Sequence, residues 1–319
     1  MNQVEAETLF GQMLDGEMAD DAIAATLVEL ADRGESAEEI AGAVRAMRAR
    51  MVRISGLERA IDVCGTGGDG QHSLNVSTAV ALVVAACGVP VAKHGNRAAS
   101  SKAGTADTLE ALGLNLARAG ELAAQTLPDL GIAFFFAQAH HPALGRIAPI
   151  RRALGRRTIF NLLGPLANPA SVSRQLVGVP SPALIPVYAE AMHLLGMERA
   201  MIVSGEEGLD ELSIAGPSRI ATIGLPIASG TIAPEQAGLP RHSLEALRGG
   251  EADYNAEALR RLLQGEAGAY RDAVLLNSAA ALIVAGEVED WHAGVEEAAE
   301  AIDKGLANAL LNCWIATTR

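Results

Sequence analysis

Residues 61–87 constrain this chain more than any other stretch. Ile61-Asp62-Val63-Cys64 is a short strand that runs straight into Gly65-Thr66-Gly67-Gly68-Asp69-Gly70, and an apolar helix follows over residues 78–87. A strand, a glycine turn and a helix, with a second strand at 89–92, form the unit from which parallel sheets are built. The alternation continues through a helix at 107–112 closed by Gly113, a strand at 132–136, a helix at 184–195, and strands at 200–204 and 220–223. The last third reads as helices at 256–263, 272–285 and 294–312. Residues 1–58 read as helices only, at 4–14 and 20–33, with a third that starts at Ser36. There Glu39, three residues on, completes a capping box, and Ile40, Val44, Met47 and Met51 recur at helical spacing. The segment 150–187 is rich in proline and poor in strand signal, and is assigned back to the helical part. The expected fold is α/β. A small all-helical domain (1–58, joined by part of 150–187) sits beside a larger α/β domain (59–149 and 188–319) whose central sheet is mostly parallel.

Composition excludes several classes. Half of the 319 residues are hydrophobic and only 20% are charged, which is too apolar for disorder; at 3% aromatics, the core must be Ala, Leu, Val and Ile. No apolar run reaches the roughly 20 residues of a membrane helix, since the nearest, 79–92, is broken by Gly88 and Pro90. The first residues lack a basic and then apolar leader pattern. Cys64, Cys87 and Cys313 are odd in number and form no CxxC, so they are expected as reduced core residues of a cytoplasmic protein. A net charge of −13 argues against nucleic acid as a partner. Yet residues 70–106 and 130–189 contain no Asp or Glu while holding Lys93, Arg97, Lys102, Arg146, Arg151, Arg152, Arg156, Arg157 and Arg174. Either these are simply apolar core elements, or the chain clears carboxylates from a pocket for an anion.

The glycine turn satisfies GxGxxG at Gly65, Gly67 and Gly70. The ribose-binding acid of a dinucleotide site is missing, however, because the next strand ends in Lys93-His94. No Gly-Lys-Ser/Thr follows either. What remains is a backbone-rich turn beside Ser73, Asn75, Ser77 and Thr78 at a helix start, where free N–H groups and the dipole favour phosphate. One N-cap needs fewer such residues. The segment 93–102 (KHGNRAASSK) leaves the second strand at its carboxyl end with three cations and no acid of its own, and reads as an anion loop. Asp210-Glu211 after Gly208-Leu209 is a candidate hard-cation site, and gains weight only beside a polyphosphate. His140-His141 has no further ligand at zinc spacing.

The strings GTGGDG (65–70), SLNVST (73–78), KHGNRAASSKAGTAD (93–107), HHPALGRIAPIRRALGRRTIFNLLGPLANP (140–169), GLDELSIAGPSRI (208–220) and VLLNSAAALIVAG (274–286) occur in this order. Together they resemble the anthranilate phosphoribosyltransferase family over essentially the whole chain. Leu74 and Ala98 replace a more usual aromatic and Ser, Thr105 replaces a Ser, and residues 306–319 match weakly. The resemblance implies a nucleoside phosphorylase/phosphoribosyltransferase type of fold and transfer of 5-phosphoribose from phosphoribosyl pyrophosphate to the amine of anthranilate, in tryptophan biosynthesis. It implies donor contacts at Gly65, Gly68, Asp69, Ser73, Asn75, Val76, Ser77, Thr78, Lys93, His94, Gly95, Asn96, Arg97, Ala98, Ala99, Ser100, Ser101 and Thr105. Anthranilate would meet Gly65, Asn96 and Arg151, and two Mg²⁺ per subunit would be held by Ser77, Asp210 and Glu211. It also implies a homodimer formed through the helical domain. No side chain is assigned as a catalytic acid or base. The alternatives are a pyrimidine nucleoside phosphorylase-like enzyme, which lacks the KHGNR segment, and a non-catalytic binding relative of the same fold.

Overall fold

The computed structural model describes residues 1–57, 59–98 and 102–319. Three helices open the chain: α1 (Gln3–Asp15), α2 (Asp20–Arg33) and α3 (Ala37–Arg50). The Ser36–Glu39 capping box is formed in both directions. Ser36 Oγ accepts the Glu39 N–H at 3.2 Å, and the Glu39 carboxylate accepts the Ser36 N–H at 2.9 Å.

Seven strands follow: β1 (Ile61–Gly65), β2 (Val91–Gly95), β3 (Ile132–Phe136), β4 (Arg174–Gly178), β5 (Arg199–Gly205), β6 (Ser218–Ile223) and β7 (Gly230–Ile232). They form one sheet in the order β3-β2-β1-β4-β5-β6-β7, parallel except for the last two strands. From β1 the chain steps outward to β2 and β3; from β4 it steps outward the other way. Such a reversal opens a crevice at the carboxyl ends of the two middle strands.

Between β1 and β2 runs α4 (Val76–Ala86), and α5 (Thr105–Ala111), α6 (Leu116–Glu121) and α7 (Ala123–Leu130) lead to β3. Then come α8 (Ala137–His140), α9 (Leu144–Leu154), α10 (Phe160–Leu163) and, past β4, α11 (Ile185–Leu194). The chain ends in α12 (Ala252–Leu263), α13 (Ala269–Ala285), α14 (Trp291–Asp303) and α15 (Leu306–Thr317). Strand periodicity of two divides the interior. Met201 and Val203 of β5 join a core with α4 and α13, whereas Ala200 and Ile202 join one with α1, α3, α9 and α11.

Three expectations need correction. Residues 150–187, read as poor in strand signal, contain β4, which lies at the centre of the sheet. Its signal is hidden by Arg174 and Gln175. Gln175 is nevertheless buried, with its amide donating to the Pro165 carbonyl at 2.7 Å. The single helix expected over 294–312 is two, parted at Gly305 with φ 72°. Of the cysteines, Cys64 is buried, Cys87 is half-buried and Cys313 is exposed.

Candidate functional site

A cavity of about 640 Å³ opens at the carboxyl ends of β1 and β2. Its floor includes Gly65 of β1 with Asp210 and Glu211, and Gly65 pairs across the sheet with Gly178 of β4. A Cβ on Gly65 would lie 2.8 Å from Asp210 Cγ and closer still to Oδ2; one on Gly178 would overlap the Asp210 carbonyl. These two positions are bare so that the segment carrying Asp210-Glu211 can rest on the sheet. Asp210 Oδ2 accepts the Gly67 N–H at 2.7 Å, tying that segment to the glycine turn, where Gly67, Gly68 and Gly70 have φ of 72°, 81° and 71°. Just beyond, Asn277 of α13 grips the Leu212 peptide from both sides. Its Oδ1 accepts the Leu212 N–H at 2.9 Å, and its Nδ2 donates to the Leu212 carbonyl at 3.0 Å. Nothing in the sequence reading singled out Asn277, since an Asn in an apolar helix carries no periodic signal.

The N-terminus of α4 faces the cavity without a side-chain cap. Asn75 stands at the N-cap position, but its amide is turned to other partners. Oδ1 accepts from Thr108 Oγ1 (2.6 Å) and Asn255 Nδ2 (2.9 Å), and Nδ2 donates to the Ala103 carbonyl (3.2 Å). The first N–H groups of a helix need partners, and here the Ser77 N–H is directed at the Glu211 carboxylate. Ser73, Asn75, Val76 and Ser77 line the cavity. Thr78 is the exception. It is 2% exposed and its hydroxyl donates to Thr105 Oγ1 at 3.2 Å, which ties α4 to the start of α5.

The expectation that the cations of 93–102 have no acidic partners fails for Lys93 and Arg97. β2 extends through Gly95, so Lys93 and His94 are strand residues, 2% and 6% exposed. Lys93 Nζ donates to the Val63 carbonyl at 2.6 Å, and its largest attraction is to Asp62. Asp62 is itself buried, accepting from Asn168 Nδ2 (2.8 Å) and the His94 N–H (3.2 Å). Burial pushes the Asp62 carboxyl up and the Lys93 ammonium down, and each draws the other back toward its charged form. Arg97 pairs with Asp107 (2.8 Å) and Glu110 (2.5 Å). Both acids lie outside the acid-free stretch in sequence and reach it through α5. His94 Nδ1 is 3.1 Å from the Gly164 carbonyl, so Nδ1 carries the proton and Nε2 stays bare; burial holds the ring neutral, with a pKa of about 3. Gly95, Asn96, Arg97, Ala98 and Thr105 line the cavity, while Ala99, Ser100 and Ser101 lie outside the described residues. His140 and His141 are buried, and His140 Nδ1 is 2.9 Å from the Val52 carbonyl.

The opposite wall is α9 and the turn after it. Arg151 is half-buried, donates to Asn161 Oδ1 at 3.3 Å and lies 5.7 Å from the centre of the Phe160 ring. Arg152, Arg156 and Arg157 add positive charge to the rim, with Arg156 held by Asp32 (2.5 Å) and Arg157 by Glu35 (3.5 Å). Asn161 was not anticipated. It is legible only once α9 and α10 are seen to fold against each other.

The floor is the reverse. Burial, reinforced by the neighbouring Asp69, lifts the Asp210 carboxyl to about 7; burial and Asp210 lift Glu211 to about 8, with Lys93 opposing. Asp69 Oδ2 is buried without a partner. Crowded, under-compensated carboxylates beside a helix N-terminus that lacks a side-chain cap fit a hard divalent cation shared with an anionic ligand. The described residues hold no group of three side chains that would cage an ion by themselves. That suits Mg²⁺, which takes one or two carboxylates and completes its shell with water and phosphate oxygens.

Two family models match, "Glycosyl transferase family, helical bundle domain" over residues 1–51 and "Glycosyl transferase family, a/b domain" over 57–308. An anthranilate phosphoribosyltransferase of Novosphingobium aromaticivorans is 67% identical, covering 99% of this chain and 96% of its own. That of Sphingopyxis alaskensis is 64% identical, over 98% and 94%. Among solved structures, the Thermus thermophilus anthranilate phosphoribosyltransferase superposes with a TM-score of 0.95 at 43% identity, covering 100% of this chain and 96% of that one. The Saccharomyces cerevisiae enzyme in complex with PRPP and Mg superposes with a TM-score of 0.88 at 28% identity, over 99% and 93%. With relatives of this identity matched along nearly its full length, the chain belongs to the anthranilate phosphoribosyltransferase family.

Proposed function

We infer that the chain transfers the 5-phosphoribosyl group of phosphoribosyl pyrophosphate to the amine of anthranilate, releasing pyrophosphate, as a step of tryptophan biosynthesis. The observation that carries this reading is the juxtaposition of an uncapped helix N-terminus with two crowded carboxylates, Asp210 and Glu211, on the floor of one cavity. A phosphate ester fits the first and a cation-bridged pyrophosphate the second.

The remaining roles follow from position. Gly65, Gly68, Asp69 and Ser73 border the donor, with the Val76 and Ser77 backbone at its phosphate end. Lys93, His94, Gly95, Asn96, Arg97, Ala98 and Thr105 form the facing wall; Thr78 acts from behind it by fixing Thr105. Asp210, Glu211 and the Ser77 hydroxyl would hold Mg²⁺, two ions per subunit in this reading. When bound, the metal neutralises charge that builds on pyrophosphate as the bond to ribose breaks. Arg151 would pair with the acceptor carboxylate, and Gly65 and Asn96 would border its ring. An aromatic amine is neutral at pH 7, so attack on the ribose carbon needs no strong base. The bare Nε2 of His94 is too weakly basic to be one. Rate enhancement then comes from positioning and from charges fixed in advance.

Homodimerisation through the helical domain and a cytoplasmic location belong to the same proposal. Val4 on α1, 72% exposed, is an apolar contact available for such a dimer. No helix among the described residues is long and apolar enough to cross a membrane. The test is the loss of anthranilate fluorescence in the presence of protein, phosphoribosyl pyrophosphate and Mg²⁺. Loss that requires all three and stops with EDTA supports the reading; no loss, with no donor binding, overturns it.

A further inference from the structure

Helix α13 touches both halves of the floor. Near its start, Tyr270 donates its hydroxyl to the Asn75 carbonyl at 3.0 Å, at the head of α4. Two turns later on the same face, Asn277 holds the Leu212 peptide beside Glu211. Asn277 is 1% exposed, and its amide is saturated by a third bond, Nδ2 to the Ala273 carbonyl at 2.9 Å. The preceding helix adds a second grip on Asn75, because Asn255 (2% exposed) donates to Asn75 Oδ1 while accepting the Gly250 N–H at 2.8 Å. Between the two gripped points the Ser77 N–H faces the Glu211 carboxylate.

We propose that α13 is a register bar for the donor site: Tyr270 and Asn277 fix the distance between the N-terminus of α4 and the Asp210-Glu211 segment, with Asn255 steadying the α4 end. None of the three lines the cavity, so they are positioning residues. They set whether the helix N-terminus and the carboxylates can engage one phosphorylated ligand together. The inference rests on the donor-binding reading above and adds which distant residues govern it.

Titration calorimetry with phosphoribosyl pyrophosphate and Mg²⁺ tests it without requiring turnover. Tyr270→Phe removes one oxygen and leaves the ring in place. Its donor Kd is expected to rise roughly fivefold to tenfold, as for one lost hydrogen bond. The anthranilate KM at saturating donor should stay within twofold of wild type. Asn277→Ser should raise donor Kd similarly. The double variant should lose less than the product of the two, because once one end of the bar is free the other no longer sets the separation. Additive losses, or a Tyr270→Phe donor Kd within twofold of wild type with only the melting temperature lowered, would overturn the proposal. Should Asn277→Ser not fold, Tyr270→Phe alone decides. A wild-type protein that binds no donor removes the functional reading together with this one; wild-type binding with an unaffected Tyr270→Phe removes only this one.

Discussion

Replacing Gly65 by alanine isolates the seat of Asp210. The new Cβ would stand 2.8 Å from Asp210 Cγ, where ordinary contacts begin at about 3.4 Å, with Oδ2 nearer still. The carboxyl must therefore retreat by roughly 1 Å, and a misplacement of that size in a reacting site lowers rates about 100-fold. The same retreat breaks the bond from the Gly67 N–H to a carboxylate, worth about 1.5–3 kcal/mol, or roughly 10- to 150-fold. Both routes lead to a fall of about two orders of magnitude in kcat/KM for the donor, with a higher Mg²⁺ requirement. Overpacking should lower stability by only about 1–3 kcal/mol, since a side chain can swing away. Gly178→Ala supplies the contrast. Its Cβ meets the Asp210 backbone carbonyl, which cannot rotate aside, so its melting temperature should fall further than that of Gly65→Ala. Donor kinetics across a Mg²⁺ series, with thermal melts of both variants, give the result. A Gly65→Ala enzyme within threefold of wild type, or the reverse stability order, would refute the reasoning.

Other outcomes follow from the same geometry. Arg151→Ala should weaken anthranilate binding by roughly 1.5–3 kcal/mol, the value of a charge-assisted contact, and leave donor Kd nearly intact; calorimetry with each substrate checks the split. Lys93→Met leaves the Val63 carbonyl without its donor and removes the charge that draws buried Asp62 toward its ionised form, so it should cost about 1–3 kcal/mol in urea unfolding, partly recovered by adding Asp62→Asn. For pH, Asp210 and Glu211 have folded pKa values of about 7 and 8, above those of the unfolded chain. The folded state therefore binds more protons, and metal-free stability should decline as pH rises through 7 to 8. Mg²⁺ competes with those protons, so the melting-temperature gain on adding Mg²⁺ should be larger at pH 8.5 than at pH 6.5.

The sequence made the outline legible wherever a local pattern was enough. The Ser36–Glu39 box, the strand-to-glycine step at Gly65 and β3 all follow from periodicity and caps, as does the placing of Asp210-Glu211 in a loop. It failed where burial is polar. β4 was missed because Gln175, a central residue of the sheet, is satisfied by Pro165 rather than by an apolar neighbour. The charges at 93–102 were misread for a related reason. Linear counting sees no acid within the stretch, but Asp62 of the neighbouring strand attracts Lys93 from a distance, and Asp107 and Glu110 of α5 pair with Arg97. Asn255, Tyr270 and Asn277 are invisible to motif reading for the same reason, since each has a partner on a distant segment: the Asn75 amide, the Asn75 carbonyl and the Leu212 peptide.

Two of the three apolar clusters among the described residues lie behind different faces of the cavity. Ile147 and Ile150, which anchor the helix bearing Arg151, belong to the core of α1 and α3; Val76 and Ala106, beneath the donor wall, belong to that of α13. In the proposed assignment of the walls, drift that softens the first core would be felt by the acceptor, and drift that softens the second by the donor. Acceptor preference can change through mutations in the N-terminal helices, far from any ligand, while the phosphate-handling half stays under its own selection. A lineage seeking a new amine acceptor has a module to rework that leaves the leaving-group machinery undisturbed.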